Sequence, residues 1–168
     1  KIVNVANNEN PDIVALTGDL IDGKYEQLKN DVAPFKNLNA KYGVFYCPGN
    51  HEYYWGVEKW IDIFKNLKMN VLLNEHKKIE VNNKSIMVAG VHDLSSHRIN
   101  EKYKCDPNSA LNSKDSFDLK ILLAHQPKTI KLIKNQKVDL VLAGHTHAGQ
   151  FFPANLLIFL FQPYVKGL

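Results

Sequence analysis

The chain has 168 residues, of which 45% are hydrophobic and 23% charged, a balance that suits one globular domain able to bury a proper core. The formal charge of +4 comes from dispersed lysines and gives no basic stripe of the kind a nucleic-acid groove presents. The two cysteines, Cys47 and Cys105, form no CxxC pair, so neither a disulfide scaffold nor a thiolate zinc site is indicated.

In chain order, Ile2 to Asn10 has weak helical spacing and stops at Asn10-Pro11, as the residue before a proline should. Asp12 to Thr17 is a nearly continuous β-rich run, the pattern of a strand buried on both faces. Tyr25, Leu28, Val32, Phe35 and Leu38 form a helical stripe interrupted by Pro34. Gly43 to Cys47 is the next strand, Val57 to Leu67 an amphipathic helix, and Val71 to Leu73 a short strand. Ile79 to Val81 and Ile86 to Val91 flank Asn82-Asn83-Lys84 and read as a hairpin. Asp93 to Phe117 is polar and without a period, so it reads as a long loop or small insertion. Leu119 to Ala124, Thr129 to Asn135 and Val138 to Ala143 give strand, helix, strand. The order predicts an α/β fold of two packed mixed sheets flanked by helices, in a single domain over 1–168. Phe151 to Phe161 is strongly apolar but far short of the ~20 residues that span a bilayer.

Four polar motifs each follow one of the apolar runs. They are Gly18-Asp19-Leu20-Ile21-Asp22, Gly49-Asn50-His51-Glu52, Ala124-His125-Gln126-Pro127 and Gly144-His145-Thr146-His147. A strand that ends in a turn and then a polar residue delivers that residue to the carboxyl edge of its sheet. Four such strands would gather the carboxylate of Asp19, the amide of Asn50 and the imidazoles of His125, His145 and His147. On an extended segment His145 and His147 would point the same way. This O/N donor set without thiolate suits Mn, Fe or Zn better than Mg or Ca. Singly, each motif has a plain explanation: Gly-Asp is a common turn, and a lone histidine after a strand is commonly a structural hydrogen-bonding residue. Their joint occurrence, each in the same strand-then-turn context, carries the argument.

The four motifs resemble those of the calcineurin-like metallophosphoesterase superfamily (GDxxD, GNH[ED], a lone His after a strand, and GHxH), in the family's order from Gly18 to His147. The longer forms Thr17-Gly18-Asp19-Leu20-Ile21-Asp22 and Gly144-His145-Thr146-His147-Ala148-Gly149-Gln150 look most like a bacterial branch whose members are often tethered to a membrane. The resemblance implies a phosphoesterase that cleaves a phosphomonoester, phosphodiester or pyrophosphate bond with two divalent metal ions and a metal-bound hydroxide. Asp19 would bridge the metals, Asn50, His125 and His145 would complete one shell, and His147 would bind the other cation. His51 would protonate or stabilise the leaving oxygen, and Asp22 would fix its tautomer. The family's opening DxH motif, which supplies ligands to the first metal, has no counterpart upstream of Asp19. With Lys1 rather than Met at the start, we expect that strand to lie outside the chain, leaving an unpaired edge beside the strand that ends at Asp19.

Around this set, Arg98, the single arginine, lies near Asp93; a guanidinium clamps phosphate where lysine does not, so both are candidate substrate residues. Glu52 reads as structural, and His76, His92 and His97 as non-ligands. The expected substrate is a phosphorylated small molecule or a lipid-linked phosphate, not nucleic acid. The segment 151–161 is a candidate for peripheral membrane contact, and a cytoplasmic or membrane-associated location is expected. The competing class is a binding or regulatory module on the same fold with an incomplete metal site.

Overall fold

The computed structural model describes residues 1–147, 150 and 164; the apolar segment 151–161 lies outside them. Two sheets carry the architecture. The first is wholly parallel, in the order β1 (Val14–Leu16), β2 (Val44–Tyr46), β3 (Asn70–Val71). The second is mixed, in the order β4 (Glu75–Val81), β5 (Lys84–Gly90), β6 (Leu119–Leu123), β7 (Leu140–Leu142). Its β4–β5 pair is antiparallel, and the others are parallel. Five α-helices are described: α1 (Ile2–Asn8), α2 (Tyr25–Val32), α3 (Asn50–Tyr54), α4 (Val57–Asn66) and α5 (Pro107–Leu111).

The layers follow from the period of two along each strand. Phe45 and Cys47 of the β2 segment face inward and pack with Leu72, Ile79, Val88 and Leu123, forming the core between the sheets. Val44 and Tyr46 face outward against Trp60, Ile61 and Phe64 of α4. Met87, Ala89 and Leu122 face the other way, against Ala110 and Leu111 of α5. The result is helix, sheet, sheet, helix. Trp60, Phe64, Tyr46 and Phe45 are each at most 1% exposed. Burying such side chains is worth roughly 1.5–3 kcal/mol apiece.

Local chemistry sets the boundaries. α2 stops at Val32 and gives way to a 3-10 turn over Ala33–Asn37, because Pro34 has no N–H to continue an α-helix. The β4–β5 hairpin turns through Asn82 (φ 49°) and Asn83 (φ 61°), two left-handed residues whose twist matches the strands they join. Three expectations need correction. β1 is only half-buried, because among the described residues β2 is its single strand neighbour and its other edge is unpaired. The 93–117 stretch is not structureless: it holds 3-10 turns at Ser96–Arg98 and Glu101–Tyr103, and then α5, whose first N–H groups, on Asn108 and Ser109, donate to the Asp106 carboxylate. The helix expected over Thr129–Asn135 is a 3-10 helix over Pro127–Leu132. Among the described residues no helix is long and apolar enough to cross a membrane.

α3 is tied to the second sheet through a buried pair. The Tyr53 hydroxyl lies 2.5 Å from His92 Nδ1, just beyond β5. Burial pushes the His92 imidazolium down to about 4. Its folded pKa therefore lies below the ordinary value of 6.5, and the unfolded chain binds the extra proton first. The contribution of neutral His92 is complete above pH 6.5 and is lost as pH falls to 4, an effect on the order of 3 kcal/mol. Urea unfolding across this range should show that loss, and His92→Gln should flatten this part of the profile.

Candidate metal centre

The site forms where four strands end. β1 runs into Gly18-Asp19, β2 into Asn50-His51, β6 into His125 and β7 into His145. Three of the nominated ligands converge: one ligand atom from each of Asp19, His125 and His145 lies within 4.8 Å of the others. Asp19 Oδ2 stands 3.0 Å from His125 Nε2, and His125 Nε2 stands 3.2 Å from His145 Nδ1. The two rings meet edge to face, with centroids 5.0 Å apart.

Two of the candidate ligands, His125 and Asp19, are oriented by a partner behind them. His125 Nδ1–H donates to the Thr17 carbonyl at 2.8 Å; a carbonyl can only accept, so Nε2 is the nitrogen that faces the cluster. Asp19 divides its oxygens. Oδ1 accepts the His51 backbone N–H in the first turn of α3 at 3.0 Å, while Oδ2 is turned to the histidines. Asn50 is buried, and its Oδ1 has no hydrogen-bond partner. An orphaned buried carbonyl costs about 1–3 kcal/mol, so this atom calls for an electropositive partner. The electrostatics point the same way. Burial alone would push the Asp19 carboxyl up, but His125 and His51 outweigh it and hold it below the ordinary range. Burial would push His125 down, but Asp19 outweighs it and holds it up. Burial first, then the neighbouring His125, pushes His145 down. A cation would relieve both the orphaned amide oxygen and the crowding of two imidazoles on one carboxylate, and the donor set fits a divalent transition metal.

The turns that carry these groups are strained and tightly packed. Asp19 (φ 54°), His145 (φ 67°) and His147 (φ 49°) are all left-handed, an uncommon region that Asp and His tolerate better than most residues. Gly18 (φ 88°) and Gly49 press together: a Cβ on Gly18 would lie 2.2 Å from Gly49 N, and one on Gly49 would lie 2.2 Å from Asp19 Oδ1. Glu52, fully buried, locks the two turns: Oε2 accepts from Asp19 N at 3.0 Å and Gly49 N at 2.8 Å, and Oε1 accepts from Leu20 N at 2.7 Å.

The remaining nominated residues are placed as follows. His51 Nδ1 lies 2.9 Å from Asp22 Oδ1, and its Nε2 faces Asp19 Oδ2 at 3.9 Å. His147 is exposed and outside the three-residue cluster, with Nδ1 3.2 Å from Gln150 Oε1. His145 and His147 both have left-handed backbone, so the segment that carries them is a turn rather than the extended strand expected. Asp93 is fully buried and accepts from Gln126 Nε2, Ser95 N and Ser95 Oγ. Arg98 is exposed at the end of the Ser96–Arg98 turn. Trp55 was not anticipated. Its indole N–H donates to Asp22 Oδ1 at 2.9 Å, and the signal available was its place four residues after His51, on the same helical face.

Comparison with known proteins agrees with this geometry. The profile of the calcineurin-like phosphoesterase family matches residues 1–149, and the chain belongs to that family. An uncharacterized metallophosphoesterase of Helicobacter pylori is 42% identical over 99% of this chain and 44% of its own length. A transmembrane protein with metallophosphoesterase domain from Danio rerio is 37% identical over all of this chain and 40% of its own. The chain thus spans about two fifths of the length of these relatives. The solved structure of Haemophilus influenzae NAD nucleotidase superposes with a TM-score of 0.59 over 87% of this chain and 31% of that one; at 21% identity it speaks for the fold alone.

The Glu52 lock yields a measurable expectation. Glu52→Gln replaces one accepting oxygen with a donor facing backbone N–H groups. It should lower stability by about 2 kcal/mol in denaturant unfolding, and weaken Mn²⁺ binding by roughly 10-fold in calorimetry. Gly49→Ala, which drives a methyl into Asp19, should weaken Mn²⁺ binding at least as much.

Proposed function

We propose that this domain is a metal-dependent phosphohydrolase that cleaves a phosphomonoester, phosphodiester or pyrophosphate bond with two divalent cations of the Mn, Fe or Zn type. The observation that carries the reading is the convergence of Asp19, His125 and His145 beside the orphaned amide oxygen of Asn50. These four would hold one cation. The second would take His147 and a share of Asp19. When bound, such cations polarise a phosphoryl oxygen and lower the pKa of water, which supplies a nucleophile at neutral pH.

The chain's own residues do the rest. Asp22 accepts the His51 Nδ1–H, which leaves Nε2 as the nitrogen that faces the site and, when protonated, gives its proton to the departing oxygen. Glu52 and the Gly18–Gly49 contact keep Asp19 and Asn50 at fixed separation through the reaction. A phosphorylated small molecule or a lipid-linked phosphate is the substrate class we infer. The transmembrane relatives favour membrane association, and a liposome sedimentation assay of the segment 151–161 tests it.

His51→Ala should retain Mn²⁺ binding within a few-fold and reduce turnover of an alkyl phosphodiester by roughly 10² to 10⁴. Undiminished turnover would remove His51 from the reaction. Titrations with Mn²⁺, Fe²⁺ and Zn²⁺, each followed by assay on phenyl phosphate and bis(p-nitrophenyl) phosphate, test the reading as a whole. Tight metal binding without hydrolysis of either ester would show a binding module on this fold.

A further inference from the structure

Asp22 is a poor anchor when taken alone. Its side chain is 72% exposed, and that of its partner His51 is 38% exposed. An exposed carboxylate paired with one imidazole holds its geometry weakly, since water competes for each oxygen and the side chain rotates freely. The structure supplies a second donor to the same atom. Trp55 Nε1–H and His51 Nδ1–H both reach Asp22 Oδ1, each at 2.9 Å.

The two donors come from one rigid unit. His51 lies in α3 and Trp55 caps its end four residues later, so both side chains leave the same helical face. The Trp55 backbone N–H donates to the His51 carbonyl at 3.2 Å, which fixes the spacing of the two side chains. Asp22 comes from the distant turn after β1 and is gripped from both sides. Of the contacts that hold its carboxyl below the ordinary range, the Trp55 bond is the largest, ahead of His51. Tyr54 completes the setting, its ring centroid 5.7 Å from that of His51.

We propose that Trp55 is a positioning residue for the reaction: its indole N–H pins the Asp22 carboxylate so that His51 carries its hydrogen on Nδ1 and presents Nε2 to the leaving oxygen. The inference rests on the reading of His51 as the proton donor. A free imidazole favours the tautomer with hydrogen on Nε2; the paired donors on Asp22 reverse that preference, and Trp55 maintains the reversal without touching substrate.

Trp55→Phe removes the N–H and keeps an aromatic ring at a half-exposed position, so folding is retained. Two readouts are combined. In long-range proton–nitrogen correlation spectra of the metal-free chain at mildly alkaline pH, wild-type His51 should show the Nδ1–H tautomer, and Trp55→Phe a mixture with Nε2–H. In the Mn²⁺-loaded protein, Trp55→Phe should lower kcat on glycerophosphoethanolamine, whose alkoxide needs a proton, by ~10-fold with KM and Mn²⁺ affinity little changed. Turnover of bis(p-nitrophenyl) phosphate, whose leaving group needs none, should change less than about twofold. In an Asp22→Ala background, Trp55→Phe should add nothing. An unchanged His51 tautomer overturns the proposal, as does an equal loss on both substrates or a full additional loss in the Asp22→Ala background. Should wild type hydrolyse neither ester with any metal, the functional reading fails, and the tautomer measurement still decides what Trp55 does.

Discussion

One buried carboxylate holds the two halves of the first ligand pair together. Glu52 is removed from water, where a lone negative charge would be strongly disfavoured, and it is tolerated because three backbone N–H groups point at it. Those donors belong to Asp19, Leu20 and Gly49, so the turn after β1 and the turn after β2 share one acceptor. Remove it, and three N–H groups are stranded in the same small volume. The close approach of Gly18 and Gly49 depends on this arrangement, and so does the seating of Asp19 Oδ1 on the first turn of α3. Burial acts on Glu52 first and raises its pKa, with the three N–H donors opposing. Asp19 and Asn50 inherit their placement from a residue that stands behind them, outside the cluster.

Much of the fold could be read from the sequence. Long periodic segments declare themselves: the stripe of Trp60, Ile61 and Phe64 became α4, and the runs around Val44 and Ile121 became β2 and β6. The hairpin followed from two asparagines that tolerate a left-handed backbone. What escaped reading depends on partners distant in the chain. The segment after Gly49 has no helical period over its five residues; α3 exists because Glu52 and Asp19 satisfy its first N–H groups. α5 was signalled by Asp106-Pro107, a cap followed by a first-turn proline, but it was hidden in a polar stretch. The apolar run of β1 alone suggested burial on both faces; its open edge was legible only from the absence of a DxH strand ahead of Asp19.

The site was legible by residue type and less so by geometry. Asp19, His125 and His145 meet as the spacing of strand ends implied. That His145 and His147 would sit in a left-handed turn was not readable, since histidine tolerates that region but most often adopts the ordinary ones. The convergence of Trp55 and His51 on one oxygen of Asp22 needed coordinates, because it depends on the depth at which the turn after β1 crosses α3.

The bond from His125 to the Thr17 carbonyl joins residues 108 positions apart. Closing a loop of that length carries an entropic cost that the contacts between the two sheets have to offset. The turn after β1 thus depends on the second sheet for a partner, whereas β1 and β2 pair across a separation of 30 residues (Val14 with Val44). The candidate site is thereby tied to the docking of the second sheet onto the first, and a change that loosens the two sheets would part Asp19 from His125.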